Sequence, residues 1–216
     1  MRTMMMVCAV LLVAASRVSA QACLGLPSFT NGSVHLNAAG EFPDSATAWA
    51  VGIGAGRPDN LFGNLGVGQA SYEGLDEKST FGFLEIGFQL ALGGAQLCPI
   101  AGGYFGAGPD DDLAGIKLTS RGASAGAALG LPIRAGMVTF IPNAAVRYEY
   151  LSIKLEEENV GSSTESSNSG IVDLGLALVF GDRVSLQPLF HIPFGVDDAE
   201  SNFGVFVALS FGWKAR

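Results

Sequence analysis

The chain has 216 residues, a formal net charge of −8, only 15% charged residues, 30 glycines and a mean hydropathy of +0.37. So acidic a chain is excluded from nucleic-acid binding, which draws most of its affinity from Lys and Arg neutralising phosphates. No segment carries the 3.6-residue apolar period of a long helix, which excludes helix-built architectures.

The N-terminus reads first. Arg2 precedes the uncharged run 3–16, and Val18-Ser19-Ala20 places small residues where a signal peptidase cuts, so residues 1–20 are expected to be a secretory signal. The run is shorter than the roughly 20 apolar residues a membrane helix needs. Residues 21–216 then form one domain of ordinary size, in which ten basic residues face 20 acidic ones. Cys8 leaves with the leader, so Cys23 and Cys98 remain. An isolated pair in an oxidising compartment most often forms a disulfide. The rival is lipidation of Cys23, for which Ala20-Gln21-Ala22 is a poor signal, having no leucine at its start and a glutamine in its middle.

From Ser33 the chain alternates apolar with small or polar residues in runs of roughly ten, each ended by a Gly, Asp, Pro or Ser cluster, the period-two signature of strands. Ten strands are expected, at 33–42, 46–55, 61–72, 79–90, 97–105, 114–130, 137–154, 169–180, 183–193 and 202–213. Residues 86–109 are uncharged and invite a membrane-helix reading, but they hold seven glycines and two prolines. At about 1 kcal/mol per interior Gly and about 3 kcal/mol per Pro the helix fails, and two strands with a turn fit instead.

The later strands show two distinct faces. Val172, Leu174, Leu176, Leu178 and Phe180 oppose Asp173, Gly175 and Ala177; Val138, Phe140, Val146, Tyr148 and Tyr150 oppose Thr139, Asn143, Arg147 and Glu149; Leu84, Ile86 and Phe88 oppose Glu85 and Gly87. In 114–130 the phase breaks near Ser120. The last strand sets Phe203, Val205, Val207, Leu209, Phe211 and Trp213 against Gly204, Phe206, Ala208, Ser210 and Gly212.

The links sort as well. Those at 56–60, 91–96, 131–136 and 181–182 are short with few charges. Those at 43–45, 73–78, 106–113, 155–168 and 194–201 hold 14 of the 20 acidic residues, which puts the acidic links together at one end of a meander. A soluble sandwich, the alternative architecture, gives no reason for this sorting. The bulky face suits lipid with aromatics near strand ends, and the Gly, Ala and Ser face suits a narrow interior whose few charges must pair.

With these features the chain resembles the small bacterial outer-membrane β-barrels over nearly all of residues 21–216. The sharpest match is the last strand, where Asn202, Gly204, Val207, Leu209, Phe211 and Trp213 follow that family's C-terminal assembly signal, although the tail Lys214-Ala215-Arg216 runs past the usual terminal aromatic. The resemblance implies an all-β, antiparallel, up-and-down transmembrane barrel, of ten strands or alternatively eight. It also implies both termini in the periplasm, long loops outside the cell, outer-membrane lipid and lipopolysaccharide as surroundings, and the barrel-insertion machinery as a partner. Cys23 and Cys98 then fall on the same, periplasmic side.

Glu85, Lys117, Arg121, Arg147, Glu149, Asp173 and His191 are the expected lumen polar network. A ten-stranded barrel is narrow enough for such side chains to fill, so neither a constitutive channel nor a cofactor is implied. His191, below Asp197, Asp198 and Glu200, is conceivable as half of a catalytic pair, but no nucleophile motif accompanies it. Asp110-Asp111-Asp112 and Glu156-Glu157-Glu158 read as solvated loop rather than as a cation cage, which needs spaced, converging oxygens. The expectation is a monomeric structural or surface-interaction barrel without catalytic chemistry, against the alternatives of a small porin-like channel or an outer-rim hydrolase or acyltransferase.

Overall fold

The computed structural model describes residues 22–24, 33–57, 61–74, 77–108, 116–157, 161–181, 183–195 and 201–212. The expected leader, Asp110–Asp112, Glu158, Asp197, Asp198, Glu200 and Trp213 lie outside the described residues.

A single 3-10 turn, Ala22–Leu24, precedes the strands β1 (Ser33–Phe42), β2 (Ala46–Gly56), β3 (Leu61–Tyr72), β4 (Lys78–Phe88), β5 (Leu90–Leu92), β6 (Ala95–Ala107), β7 (Ile116–Gly130), β8 (Ile133–Ala135), β9 (Val138–Glu157), β10 (Gly161–Phe180), β11 (Val184–Phe194) and β12 (Asn202–Gly212). Ten of them pair antiparallel in chain order, and β12 closes on β1 from Ser33↔Gly212 to Phe42↔Phe203. The result is one closed sheet, neither a two-sheet sandwich nor an eight-stranded barrel.

The short strands β5 and β8 lie off the closed path. They continue β4 and β7 in unbroken register, since Gly87↔Ile100 leads to Leu90↔Leu97 and Gly130↔Asn143 leads to Ile133↔Phe140. Each interruption falls beside a proline, Pro99 in the first case and Pro132 and Pro142 in the second, because proline gives the ladder no N–H.

The alternation decides which side is wet. Outward residues are large, apolar and exposed: Leu36, Val51, Ile53, Leu65, Val67, Leu84, Ile86, Leu129, Val146, Leu174, Leu176, Val207 and Leu209. In β12 Leu209 is 47% exposed and its neighbour Ala208 only 1%. A soluble barrel has the reverse arrangement, and this one carries a continuous apolar belt on its exterior.

The interior carries rings laid on glycines. Phe83 covers Gly66, Phe81 covers Gly68, Phe62 covers Gly87, Tyr104 covers Gly122 and His35 covers Gly54, each ring lying on the glycine directly opposite it in the ladder. A Cβ on Gly66 would come within 2.6 Å of the Phe83 ring and 2.4 Å of the Val51 carbonyl oxygen. The same device recurs outside, where Phe105 covers Gly82 and Phe194 covers Gly170. Glycine weakens a strand through entropy and missing contacts, and the opposing ring restores the contacts.

Two expectations change. In β7 the phase does not break at Ser120: Leu118, Ser120, Gly122, Ser124, Gly126, Ala128 and Gly130 share the inward side, and Lys117, Thr119, Arg121, Ala123, Ala125, Ala127 and Leu129 the exposed one. Beyond the apolar belt the outward positions turn polar, which imitates a change of phase. The link 155–168, expected as a loop, is mostly strand, since β9 and β10 stay paired out to Gly161↔Glu157 and β7 accompanies β9 as far as Ile116↔Glu157. Residues 161–168 are exposed throughout, so backbone pairing rather than burial holds them and no hydrophobic period marks them in the sequence.

Candidate functional site in the barrel lumen

The lumen holds an ionic cluster centred on Arg147. Register puts Asp173 of β10 directly opposite His191 of β11 and one diagonal step from Arg147 of β9. Arg147 Nη2 donates to Asp173 Oδ2, and His191 Nδ1 lies 2.6 Å from Asp173 Oδ1. From β4, Glu85 brings Oε2 to 3.7 Å from Arg147 Nη1, and from β1, Glu41 brings Oε1 to 3.8 Å from His191 Nε2. β4 and β9 are separated in the barrel by β6 and β7, so the Glu85–Arg147 pair spans the lumen. Asp173 is 5% exposed, and a carboxylate so buried is tolerable only because it is paired and hydrogen-bonded.

Glycines let these contacts reach past a neighbouring strand. Gly204 of β12 lies between His191 and Glu41, and a Cβ there would sit 3.3 Å from His191 Nε2 and 3.5 Å from Glu41 Cγ. Over Gly52 of β2, Asn37 Nδ2 donates to Asn64 Oδ1 at 2.9 Å. Over Gly175 of β10, Gln187 Nε2 donates to Asn143 Oδ1 at 3.0 Å. In each case the middle strand's missing side chain is the channel through which its two neighbours bond.

Of the residues expected in the network, Glu85, Arg147, Asp173 and His191 meet. Glu149 shares the inward side of β9 but takes part in none of these ion pairs. Lys117 and Arg121 do not belong: both are exposed on the outward alternation of β7, for the reason given above. Glu41 was missed, although its odd-numbered phase with the buried His35 and Asn37 marks it as inward. Phe81, Phe83 and Tyr104 were missed because large aromatics inside look like a phase error until their glycine partners are known.

Cys23 and Cys98 form a disulfide with Cα atoms 6.1 Å apart, and both are buried inside the barrel. Along β12, Val207, Leu209 and Phe211 are exposed outward, while Asn202 and Gly204 turn inward. His191 Nε2 faces the Glu41 carboxylate rather than a hydroxyl or thiol, which is not the geometry of an activated nucleophile. Among the described residues no three His, Cys, Asp or Glu side chains converge as metal ligands. What the arrangement does chemically is tie five strands together across a narrow interior.

Closure in ten antiparallel strands, an apolar exterior and an interior that carries the polar groups define the class: a β-barrel of the outer-membrane type. No protein-family model and no curated protein sequence matches the chain. Solved structures similar to it are bacterial outer-membrane proteins. They include the translocator domain of the autotransporter NalP from Neisseria meningitidis (14% identity, 85% of this chain and 89% of that one, TM-score 0.48). Ail, the attachment invasion locus protein of Yersinia pestis, aligns over 84% of this chain and 99% of its own (11% identity, TM-score 0.46). The β domain of the Bordetella autotransporter BrkA aligns over 84% and 100% (16% identity, TM-score 0.42).

Proposed function

We propose that this chain spans the outer membrane of a Gram-negative-type envelope as a monomeric barrel with a structural and surface-interaction role and no catalytic chemistry. In this reading both termini and the short turns face the periplasm, and the acidic links face outward among lipopolysaccharide. The apolar exterior carries the proposal: Leu65 and Val67 are each 56% exposed, a disposition that water penalises and hydrocarbon favours. Closure supports it, because an open sheet edge would leave unpaired N–H and C=O groups in lipid. The pairing of His191 with carboxylates supports a structural rather than catalytic histidine, and the ion pairs that span the lumen support a role other than constitutive porin. Asn202, Gly204, Val207, Leu209, Phe211 and Trp213 are the segment the insertion machinery would read.

Folding into detergent or lipid tests the core of this reading. Residues 21–216 are expected to need detergent to refold and to migrate faster on a gel unheated than boiled; refolding in plain buffer to a soluble monomer overturns it. For orientation, Glu73→Cys and Arg57→Cys sit at opposite ends of the barrel. A membrane-impermeant maleimide added to intact cells is expected to label position 73 alone, and labelling of 57 alone reverses the topology.

A further inference from the structure

The 3-10 turn Ala22–Leu24 is unnecessary to the barrel wall, yet it lies inside it, with Ala22 0% and Cys23 2% exposed. Ala22 belongs to a buried apolar cluster with Ile141, Ala177 and Val179, Cys23 to another with Phe62, Cys98 and Ala128 among others, and Leu24 packs against this second cluster and against Ala208. The turn's backbone lies against β6, β7 and β9, and the Leu24 side chain reaches across the lumen to Ala208 of β12 on the opposite wall.

The wall is shaped to receive it. Ala22 N donates to Gln96 Oε1 at 2.8 Å, and Gln96 is itself 7% exposed. Gly130 gives the turn its space, because a Cβ there would stand 1.9 Å from the Ala22 carbonyl oxygen and 2.2 Å from its carbonyl carbon. The Cys23–Cys98 bond fixes the turn covalently to β6.

We propose that Ala22–Leu24 is an intramolecular plug, latched by the Cys23–Cys98 disulfide, that closes the lumen to small solutes; this rests on the membrane-spanning reading above. Both sulfurs are buried, so the bond is a standing latch and not a freely exchanging switch. Opening it chemically takes a dithiol, which gives two electrons and two protons to the disulfide, leaving thiols at Cys23 and Cys98 and a disulfide in the reductant. Without the bond, what holds the turn among the described residues is the Ala22–Gln96 hydrogen bond and the apolar contacts of Ala22, Cys23 and Leu24.

Single-channel recording of residues 21–216 in planar bilayers reads this directly. The oxidised native protein is expected to show no conductance steps. The double variant Cys23→Ser/Cys98→Ser is expected to open intermittently, and so is Gly130→Ala, which displaces the turn sterically with the cysteines in place. Adding Gln96→Ala to the double variant should raise the open fraction by roughly threefold to tenfold, the equivalent of one lost hydrogen bond. Native protein that conducts as the variants do overturns the plug. So does a double variant that stays silent while keeping its heat-dependent gel shift, since the ionic cluster would then be what closes the lumen. Should a variant fail to fold, native protein already in the bilayer is treated with dithiothreitol: steps that appear on reduction and vanish on reoxidation support the latch, and continued silence once alkylation shows both thiols free overturns it. A native chain with no heat-dependent shift refutes the membrane reading instead.

Discussion

Replacing Arg147 with leucine tests whether the ionic cluster holds the barrel together. The substitution removes the one permanent cation among Glu41, Glu85 and Asp173, leaving three carboxylates around a single imidazole. Stripping one partner from a buried pair costs about 3–5 kcal/mol. The Arg147 side chain is 24% exposed against 8% for Asp173, so water relieves part of the loss, and about 2–4 kcal/mol is expected. The assay is urea unfolding of the barrel in lipid vesicles, followed by the fluorescence of Trp49 and Trp213. With a slope of about 2 kcal/mol/M, a loss of 3 kcal/mol moves the midpoint by about 1.5 M. Glu85→Gln should lose under about 1 kcal/mol, because that pair is longer and 22% exposed on the carboxylate side. Asp173→Leu added to Arg147→Leu should cost less than it does alone, since the charge it removes has already lost its arginine and keeps only His191. A loss below about 0.5 kcal/mol for Arg147→Leu, the scale of an ordinary surface change, refutes the strut.

Lys117→Ala and Arg121→Ala, outside the cluster, should each stay within about 0.5 kcal/mol in the same assay, and a loss like that of Arg147→Leu would return them to the lumen. Val207→Lys should cost about 2–4 kcal/mol if the residue meets the middle of the bilayer, and a near-neutral result in vesicles counts against the outward assignment. Gly66→Val should cost about 1–3 kcal/mol by overpacking against Phe83 and the Val51 carbonyl. Gly63→Ala, whose new Cβ would meet only ordinary contacts at 3.5 and 3.7 Å, should be close to neutral, and equal losses at 63 and 66 would refute the ring-on-glycine packing.

Strand count, the order of strands and the outward face were legible because each leaves a local trace. Alternation within β4, β9, β10 and β11 assigns Glu85, Arg147, Asp173 and His191 to the inside without any knowledge of their partners. Legibility stops where the environment changes along a strand. At Lys117 and Arg121 the outward side leaves the apolar belt, so polarity ceases to report direction, and in 161–168 both sides are wet and nothing is left to alternate. Which inward groups meet is a matter of closure and register, and no window of one strand contains it: Glu85 and Arg147 are 62 positions apart in the chain and joined only across the lumen.

The glycines bring these two levels together. Read locally, an interior of Gly, Ala and Ser says only that the barrel is narrow. In place, nine of the inward glycines divide by what fills the space of their missing side chain: a ring from the opposite residue at Gly54, Gly66, Gly68, Gly87 and Gly122, two polar groups meeting from the flanking strands at Gly52, Gly175 and Gly204, or the chain's own N-terminal backbone at Gly130. Each kind demands a partner at a fixed register, since a slip of one residue would turn every inward group outward. Glycine, a poor strand former, therefore does much to specify this register. It also follows that Gly204 has a folding role of its own: it admits His191 and Glu41 to each other whether or not its strand is read as an assembly signal, so a Gly204→Val chain should be less stable even when refolded from urea without any insertion machinery.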